Sequence, residues 1–317
     1  MYTFALAMPR ICGKPPIDNG GAMTIKDIRV KSLQEALQEL GRLATHSEDF
    51  VFRGHSNPEW KICSTLQRYT AIPHQSWDNT LDDMLLHFMV NLRTIGQLPE
   101  EIARDRRARL ESGRHYGVPS PLIDFSLSPY VALFFAFNGV RPDRHKPDAH
   151  VVVYALDIGA LGVAWARLGG KFDQNEYESF MRERESLFKD GYPGGMLKYI
   201  RFPASWNTRM QRQKGVFIYD TLNYALLGCE NFEEFVGQQQ EPLGPSSERA
   251  PILTKIFIPA SEAGDAFSLL EMMAVSATQL YDSHEGAVAD VVNSYNYNRK
   301  MGYAWDLALP PPDDTKM

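Results

Sequence analysis

Apolar residues recur at helical spacing in two stretches of the chain and fill a third stretch completely. In residues 32–43 and 80–98 they fall on one helical face, which predicts two amphipathic helices, the first with a serine as its N-cap. The third stretch, Tyr130–Phe137, is apolar on all sides and is predicted to be a buried helix. Ser128 and Pro129 precede this stretch and predict the start of the helix. Serine can cap the free N–H groups of a first turn, and proline has no N–H to lose there.

Short runs rich in β-branched and aromatic residues predict the strands. The first run leads into Arg53-Gly54, where we expect the strand to break into a turn. Strands and helices mixed along one chain favour an α+β fold with a mixed sheet core and flanking helices. The predicted strands are Asp49–Phe52, Leu122-Ile123, Val151–Leu156, Gly215–Tyr219 and Ile252–Ile258.

The remaining segments divide the chain into one domain with two tails. Residues 1–22 are rich in proline and glycine and are predicted to be a flexible extension, and residues 301–317 are predicted to be a C-terminal tail. The domain between them, residues 23–300, contains a surface loop at 238–251, where glutamine, proline and serine dominate. Residues 159–201, with a charged helix around 176–188, are interpreted as an insertion or a lid.

The composition narrows the class of protein. A formal net charge of -6 argues against a protein held on nucleic acid mainly by phosphate neutralisation. Three scattered cysteines (Cys12, Cys63 and Cys229) have no disulfide, zinc or redox spacing and indicate a reducing compartment. No window is apolar enough to cross a bilayer, and residues 1–8 are too short and lack the basic start of a signal peptide. We therefore expect a cytoplasmic protein without membrane contact.

Arg53 is the first candidate functional residue, because its guanidinium emerges from the end of an apolar strand and must find an anion. The planar fork of an arginine fits a carboxylate or a phosphate in two places at once. Gly54 would let a ligand approach the backbone closely. A structural ion pair with a carboxylate such as that of Asp124 is the alternative, and for Arg53 alone it is the more frequent arrangement.

The second candidate segment, residues 115–130, concentrates polar and backbone-special residues in an apolar stretch. His115 opens it, Asp124 and Ser126 share one side of a short strand, and Ser128 opens the buried helix. The N-terminus of a helix attracts anions, so a phosphate fits there. For each residue singly a structural role is the more frequent one, but together the two segments indicate one polar ligand pocket.

These segments resemble the FRG domain, a family named after its Phe-Arg-Gly signature. The matching residues are Phe52-Arg53-Gly54, His115-Tyr116-Gly117 with Pro119, Leu122 and Asp124, then Ala132–Ala136, and Arg209–Phe217, which is similar to an Arg-x-x-x-Gln-x-Gly-x-Phe element. We assign residues 23–300 to this domain. Its layout is similar to that of ADP-ribosyltransferase folds, which implies a strongly twisted sheet core and NAD as the substrate.

The resemblance implies an NAD-dependent ADP-ribosyltransferase or NAD glycohydrolase, acting as a toxin or an antiviral defence effector. A protein or nucleic-acid acceptor and an antitoxin or sensor protein are then the expected partners, and no metal is expected. A carboxylate should stabilise the positive charge that builds on the ribose. The implied catalytic residues are Arg53, His115, Asp124, Ser126 and Gln213, and the implied binding residues are Arg53, Gly54, Tyr116, Gly117 and Ser128. Tyr116 and Phe125 are candidates to stack on the flat rings of NAD, although a role in the core is the more frequent one for such aromatic residues.

Three hypotheses stay open. The first is the NAD-consuming enzyme, in which Asp124 or Glu285 supplies the carboxylate, since glutamine occupies position 213. The second is a non-catalytic module that binds a nucleotide through Arg53. The third is a nucleic-acid protein or nuclease, motivated by the arginines at 104, 106, 107, 109 and 114, although their alternation with acidic residues is more typical of a solvated helix face.

Overall fold

The computed structural model describes residues 25–46, 50–68, 77–140, 148–161, 197–200, 207–220, 231–238, 251–281 and 283–297. The strands are β1 (Ile25–Arg29), β2 (Phe50–His55), β3 (Leu122–Ser126), β4 (His150–Asp157), β5 (Leu197–Ile200), β6 (Gly215–Asp220) and β7 (Leu253–Pro259). The helices are α1 (Leu33–His46), α2 (Trp77–Thr94), α3 (Glu100–Arg104), α4 (Arg106–His115), α5 (Pro129–Phe137), α6 (Thr208–Arg212), α7 (Phe232–Gln238), α8 (Ala263–Met272), α9 (Ala277–Tyr281) and α10 (His284–Asn296).

The strands form one mixed sheet in the order β1-β7-β4-β2-β3-β6-β5. The edge strand β1 is parallel to β7, and the other neighbouring strands are antiparallel. Helices flank the sheet, so the prediction of a mixed sheet core with flanking helices is confirmed.

The centre of the sheet is buried on both faces, which explains the continuous apolar run of β4. Side chains alternate between the two faces of a strand. Val151, Val153 and Ala155 pack with α1, α5 and α8 in one core cluster. Val152 and Tyr154 pack in a second cluster, which includes residues of α7. A central strand with both faces covered has no polar side, and the β4 sequence shows none.

Helix α5, in which seven of nine residues are buried, contributes to the wall of the cavity described below. Pro129 occupies its first turn as predicted, and Ser128 occupies the N-cap position, but the Ser128 side chain makes no capping hydrogen bond. The Ser128 N–H instead donates to the Ser126 hydroxyl at 3.0 Å. In α1, by contrast, the Ser32 hydroxyl accepts from the Glu35 N–H at 3.3 Å and caps the helix as predicted.

One expectation from the sequence is wrong in detail. Strand β2 does not break at Arg53-Gly54, because both residues continue the ladder with β4, opposite Tyr154 and Val153. The predicted insertion 159–201 ends in strand β5, which extends the sheet by pairing with β6. The charged helix at 176–188, the core of the loop at 238–251 and both tails lie outside the described residues.

Candidate functional site

A cavity of about 510 Å³ opens where β2 and β3 separate. These two strands share a single register pair, Phe52 with Ser126, whereas β2 and β4 are paired over six residues. Beyond that pair the ladder stops, and both strands contribute to the cavity wall. The predicted site residues that line it are Arg53, Gly54, His115, Asp124, Ser126 and Gln213.

Arg53 reaches across the gap between the two strands. Its Nη1 donates to the backbone oxygen of Asp124 at 2.6 Å, and its Nε donates to Nε2 of His55 at 2.8 Å. Among the described residues, neither partner is a carboxylate. Burial lowers the pKa of the Arg53 guanidinium, nearby Asp124 raises it and nearby Arg68 lowers it. The cation is therefore held in place by neutral groups beside an open volume, which is an arrangement that favours an anionic guest.

His55 is the neutral partner that orients Arg53. Burial, together with the adjacent Arg53, lowers the pKa of His55 to about 3, so the imidazole is uncharged near neutral pH. Its Nδ1 lies 3.2 Å from the backbone oxygen of Trp60, which assigns the proton to Nδ1 and leaves Nε2 free to accept from Arg53. The ring also packs edge-on against Tyr154, with centroids 5.1 Å apart.

The expected ion pair between Arg53 and the Asp124 carboxylate is not formed. The Asp124 side chain, which is 54% exposed, instead accepts from Arg114 Nη1 at 2.6 Å. Arg114 is only 18% exposed, lies over the ring of Phe217 at 4.3 Å, and has its Nε buried without a partner. Arg53 thus contacts the backbone oxygen of Asp124, while Arg114 forms the ion pair with the Asp124 carboxylate.

Cationic side chains dominate the cavity. The lining residues that the structure describes include one acidic residue, Asp124, and five cationic residues: Arg53, Lys61, Arg68, Arg114 and Arg209. This local excess contrasts with the formal net charge of -6 for the chain. A concave, low-dielectric wall with one sign of charge concentrates ions of the opposite sign.

His115 lies at the end of α4 and is half-buried in the cavity wall. Burial, then Arg209 and Arg114, lower the pKa of its imidazole, while Glu285 raises it. His115 is therefore biased toward the neutral form, which can donate or accept a proton near neutral pH. Glu285 is exposed and does not line the cavity.

Ser126 and Gln213 are joined to each other and to their surroundings. The Ser126 hydroxyl donates to the backbone oxygen of Gln213 at 2.7 Å and accepts from the Ser128 N–H. The Gln213 side chain donates to the backbone oxygen of Leu280 at 3.2 Å. These bonds fix the end of β3 to the turn before β6, so both side chains have a structural partner in the described fold.

Gly54 has a structural reason that its sequence context did not reveal. A Cβ at this position would lie 1.9 Å from the backbone oxygen of Ala132 and 2.5 Å from the backbone nitrogen of Ala136. The glycine is thus required because α5 passes close over β2. The backbone of Gly54 is approached closely by this helix, and not by a ligand as expected from the sequence.

The other predicted binding residues lie away from the cavity wall. Tyr116 is 72% exposed and packs against Phe88 and His115, Gly117 adopts a left-handed conformation with φ of 95°, and Ser128 is buried. Phe125 does line the cavity, but its ring packs into the core against Phe232.

Sequence reasoning missed Arg68, Arg114 and Trp60. Arg114 belongs to an arginine cluster that was interpreted as a solvated face. For three of its neighbours that interpretation is correct. Arg104, Arg106 and Arg107 form exposed ion pairs with Glu100, Asp82 and Asp105, respectively. The distinguishing signal is position, because Arg114 lies in the last turn of α4, one residue before His115.

In the described part of the chain, no group of three or more histidine, cysteine, aspartate or glutamate side chains is placed to hold a metal ion. None of the helices described combines the length and the apolar character needed to cross a lipid bilayer.

The fold and the cavity define an α+β domain with a cationic cavity in a gap of its central sheet. Residues 48–145, which span β2 to α5, match the FRG domain family. The resemblance noted from Phe52-Arg53-Gly54 is therefore confirmed over these residues. No curated protein and no solved structure matches the chain.

Proposed function

We propose that this protein binds a nucleotide that carries a diphosphate, such as NAD, in the cavity between β2 and β3. The observation that carries the proposal is the Arg53 guanidinium, which neutral partners hold beside a cavity with five cations and one described carboxylate. A cavity of about 510 Å³ lies within the range of roughly 300–1,000 Å³ that is typical of small-molecule sites.

Calorimetry tests this proposal with ADP, NAD and adenosine as probes. The phosphate-bearing probes should bind, and adenosine should not bind measurably. Arg53→Gln removes a charge-assisted contact worth about 1.5–3 kcal/mol, so it should weaken ADP by roughly 10- to 150-fold. Arg42→Gln is the matched control, since Arg42 pairs with Glu39 on the surface of α1. Equal binding of ADP and adenosine, or an unchanged affinity in Arg53→Gln, would refute the proposal.

A second candidate is cleavage of NAD by ADP-ribosyl transfer or hydrolysis. It is favoured by Asp124, whose exposed carboxylate lies in the same cavity as Arg53. The order of parts is also similar to ADP-ribosyltransferase folds, with an arginine on an early strand and a serine-bearing strand running into an apolar helix. This likeness is an analogy of fold layout alone.

In that reaction the bond between nicotinamide and ribose breaks, and its electron pair leaves with nicotinamide. The oxygen of water or of an acceptor forms the new bond to the ribose carbon and loses a proton. The Asp124 carboxylate would stabilise the developing positive charge, and neutral His115 would accept the proton. Gln213 cannot supply the charge, because an amide is neutral.

Nicotinamide release from NAD by the purified protein tests the enzymatic candidate. Wild type should release nicotinamide with water or a macromolecular acceptor, and Asp124→Asn should not. Binding of NAD without release, across protein and nucleic-acid acceptors, would leave the binding module as the function.

The biological role that fits an NAD-consuming FRG protein is that of a toxin or defence effector, restrained by an antitoxin or a sensor protein. Expression of wild type should then lower cellular NAD and arrest growth, whereas Arg53→Gln should do neither. Normal growth and normal NAD with the wild-type protein expressed would argue against this role.

A further inference from the structure

Trp60 is an exposed tryptophan in the cavity wall. It belongs to the segment after β2, and 56% of its surface is accessible. Tryptophan is strongly buried on average, so an indole exposed in a concave site is an informative exception. Trp60 is a member of neither of the two large core clusters that cover the sheet.

The backbone of Trp60 is fixed although its side chain is exposed. Its N–H donates to the backbone oxygen of Asn57 at 3.2 Å. Its backbone oxygen lies 3.2 Å from Nδ1 of His55 and accepts from the Tyr154 hydroxyl at 3.4 Å. The same His55 ring accepts from Arg53, so one imidazole sets the positions of both the guanidinium and the tryptophan.

This geometry places a flat apolar surface beside a phosphate-binding group. The indole and the His55 ring are not stacked on each other, since their centroids lie 6.3 Å apart at an interplanar angle of 66°. A nucleotide presents the same pairing of chemistries, with an anionic phosphate at one end and an aromatic base at the other. Stacking on aromatic side chains is a common mode of base recognition.

We propose that Trp60 is the platform on which the aromatic base of the bound nucleotide stacks while Arg53 holds its phosphates. This inference rests on the proposed nucleotide-binding function and adds the reason for preferring nucleotides to other anions. It assigns to Trp60 the stacking role predicted for Tyr116 and Phe125. Tyr116 does not line the cavity, and the ring of Phe125 is buried in the core.

Two probes separate the base from the phosphates. ADP carries both chemistries, and inorganic pyrophosphate carries only the phosphates. Base stacking is worth about 1–3 kcal/mol per base, so Trp60→Ala should weaken ADP by roughly 5- to 150-fold and change pyrophosphate affinity by less than about twofold. Trp60→Phe keeps an aromatic face and should stay within about threefold of wild type for ADP. Arg53→Gln should weaken both probes.

Calorimetry on the full chain, with thermal unfolding of each variant as a folding check, distinguishes the outcomes. The inference is overturned if Trp60→Ala leaves ADP affinity unchanged, or if it weakens ADP and pyrophosphate equally. If wild type binds pyrophosphate but binds ADP no better, base recognition fails while the phosphate site stands. If wild type binds neither probe, the proposed function itself fails.

Discussion

The glycine of the Phe52-Arg53-Gly54 signature is expected to be indispensable for folding, and Gly54→Ala is the direct perturbation. The added methyl group would start 1.9 Å from the Ala132 backbone oxygen, where side-chain carbons are essentially never found closer than 3.0 Å. Either β2 or α5 must therefore move by about 1 Å.

Neither element is free to move that far. Strand β2 is paired with β4 along its whole length, and the α5 residues Leu133, Phe134, Ala136 and Phe137 are fully buried in the core. Overpacking a dense core costs about 1–3 kcal/mol and occasionally more. Because the clash involves main-chain atoms, which cannot rotate away, we expect Gly54→Ala to lose about 3 kcal/mol or more of unfolding free energy.

Urea unfolding followed by circular dichroism measures the loss, and Gly41→Ala is the matched control. Gly41 lies inside α1, and a Cβ there would meet nothing within 4 Å. Alanine is a better helix former, so the control should gain about 0.5–1 kcal/mol. A Gly54→Ala protein as stable as wild type would refute the close passage of α5 over β2.

Three further predictions address the groups around Arg53. The folded-state pKa of His55, about 3, lies below its ordinary value of 6.5, so its stabilising contribution is present above pH 6.5 and is lost as the pH falls toward 3. Urea unfolding of wild type should lose on the order of 1 kcal/mol per pH unit below pH 6.5, and His55→Gln should remove that part of the slope; an identical slope in the variant would contradict this. Ser126→Ala breaks the bond to Gln213 and should cost about 1–3 kcal/mol in thermal unfolding, whereas lost NAD cleavage at unchanged stability would indicate a chemical role instead. Asp124→Asn removes the one carboxylate among the described lining residues and should strengthen ADP binding by about fivefold in calorimetry; weaker binding would count against a cavity that selects anions.

Hydrophobic periodicity predicted the parts of the fold that depend on local sequence. The helix at 32–43, the buried helix at 130–137 and the strand at 252–258 lie within or overlap α1, α5 and β7. The end of β2 was mispredicted because Arg53-Gly54 looks like a turn locally. Its pairing with β4, about a hundred residues away in sequence, is a tertiary interaction that no local pattern contains.

The residues that line the cavity were predictable only in part, because tertiary contacts that no local pattern contains bring some of them there. Residues 53, 115, 124, 126 and 213 were selected from the sequence and line the same cavity. Arg114 was not selected, because five arginines within eleven residues give no local sign of which one turns inward. That choice is made when the last turn of α4 packs beside β3 and brings Arg114 to the Asp124 carboxylate. Trp60 carries no sequence signal of exposure, since tryptophan is usually interpreted as core.

The three signature positions have different roles, in folding or in binding, because successive side chains of a strand point to opposite faces of the sheet. Phe52 points into the core cluster that contains α5, and Gly54, two residues on, faces the same helix and must lack a side chain. Arg53 points to the other face, at the place where the ladder between β2 and β3 stops. The first and third positions therefore hold α5 close against the strand, and the middle one supplies the cation. Replacing Gly54 should therefore lower the stability and the binding together, whereas loss of the Arg53 charge should weaken binding in a protein that stays folded.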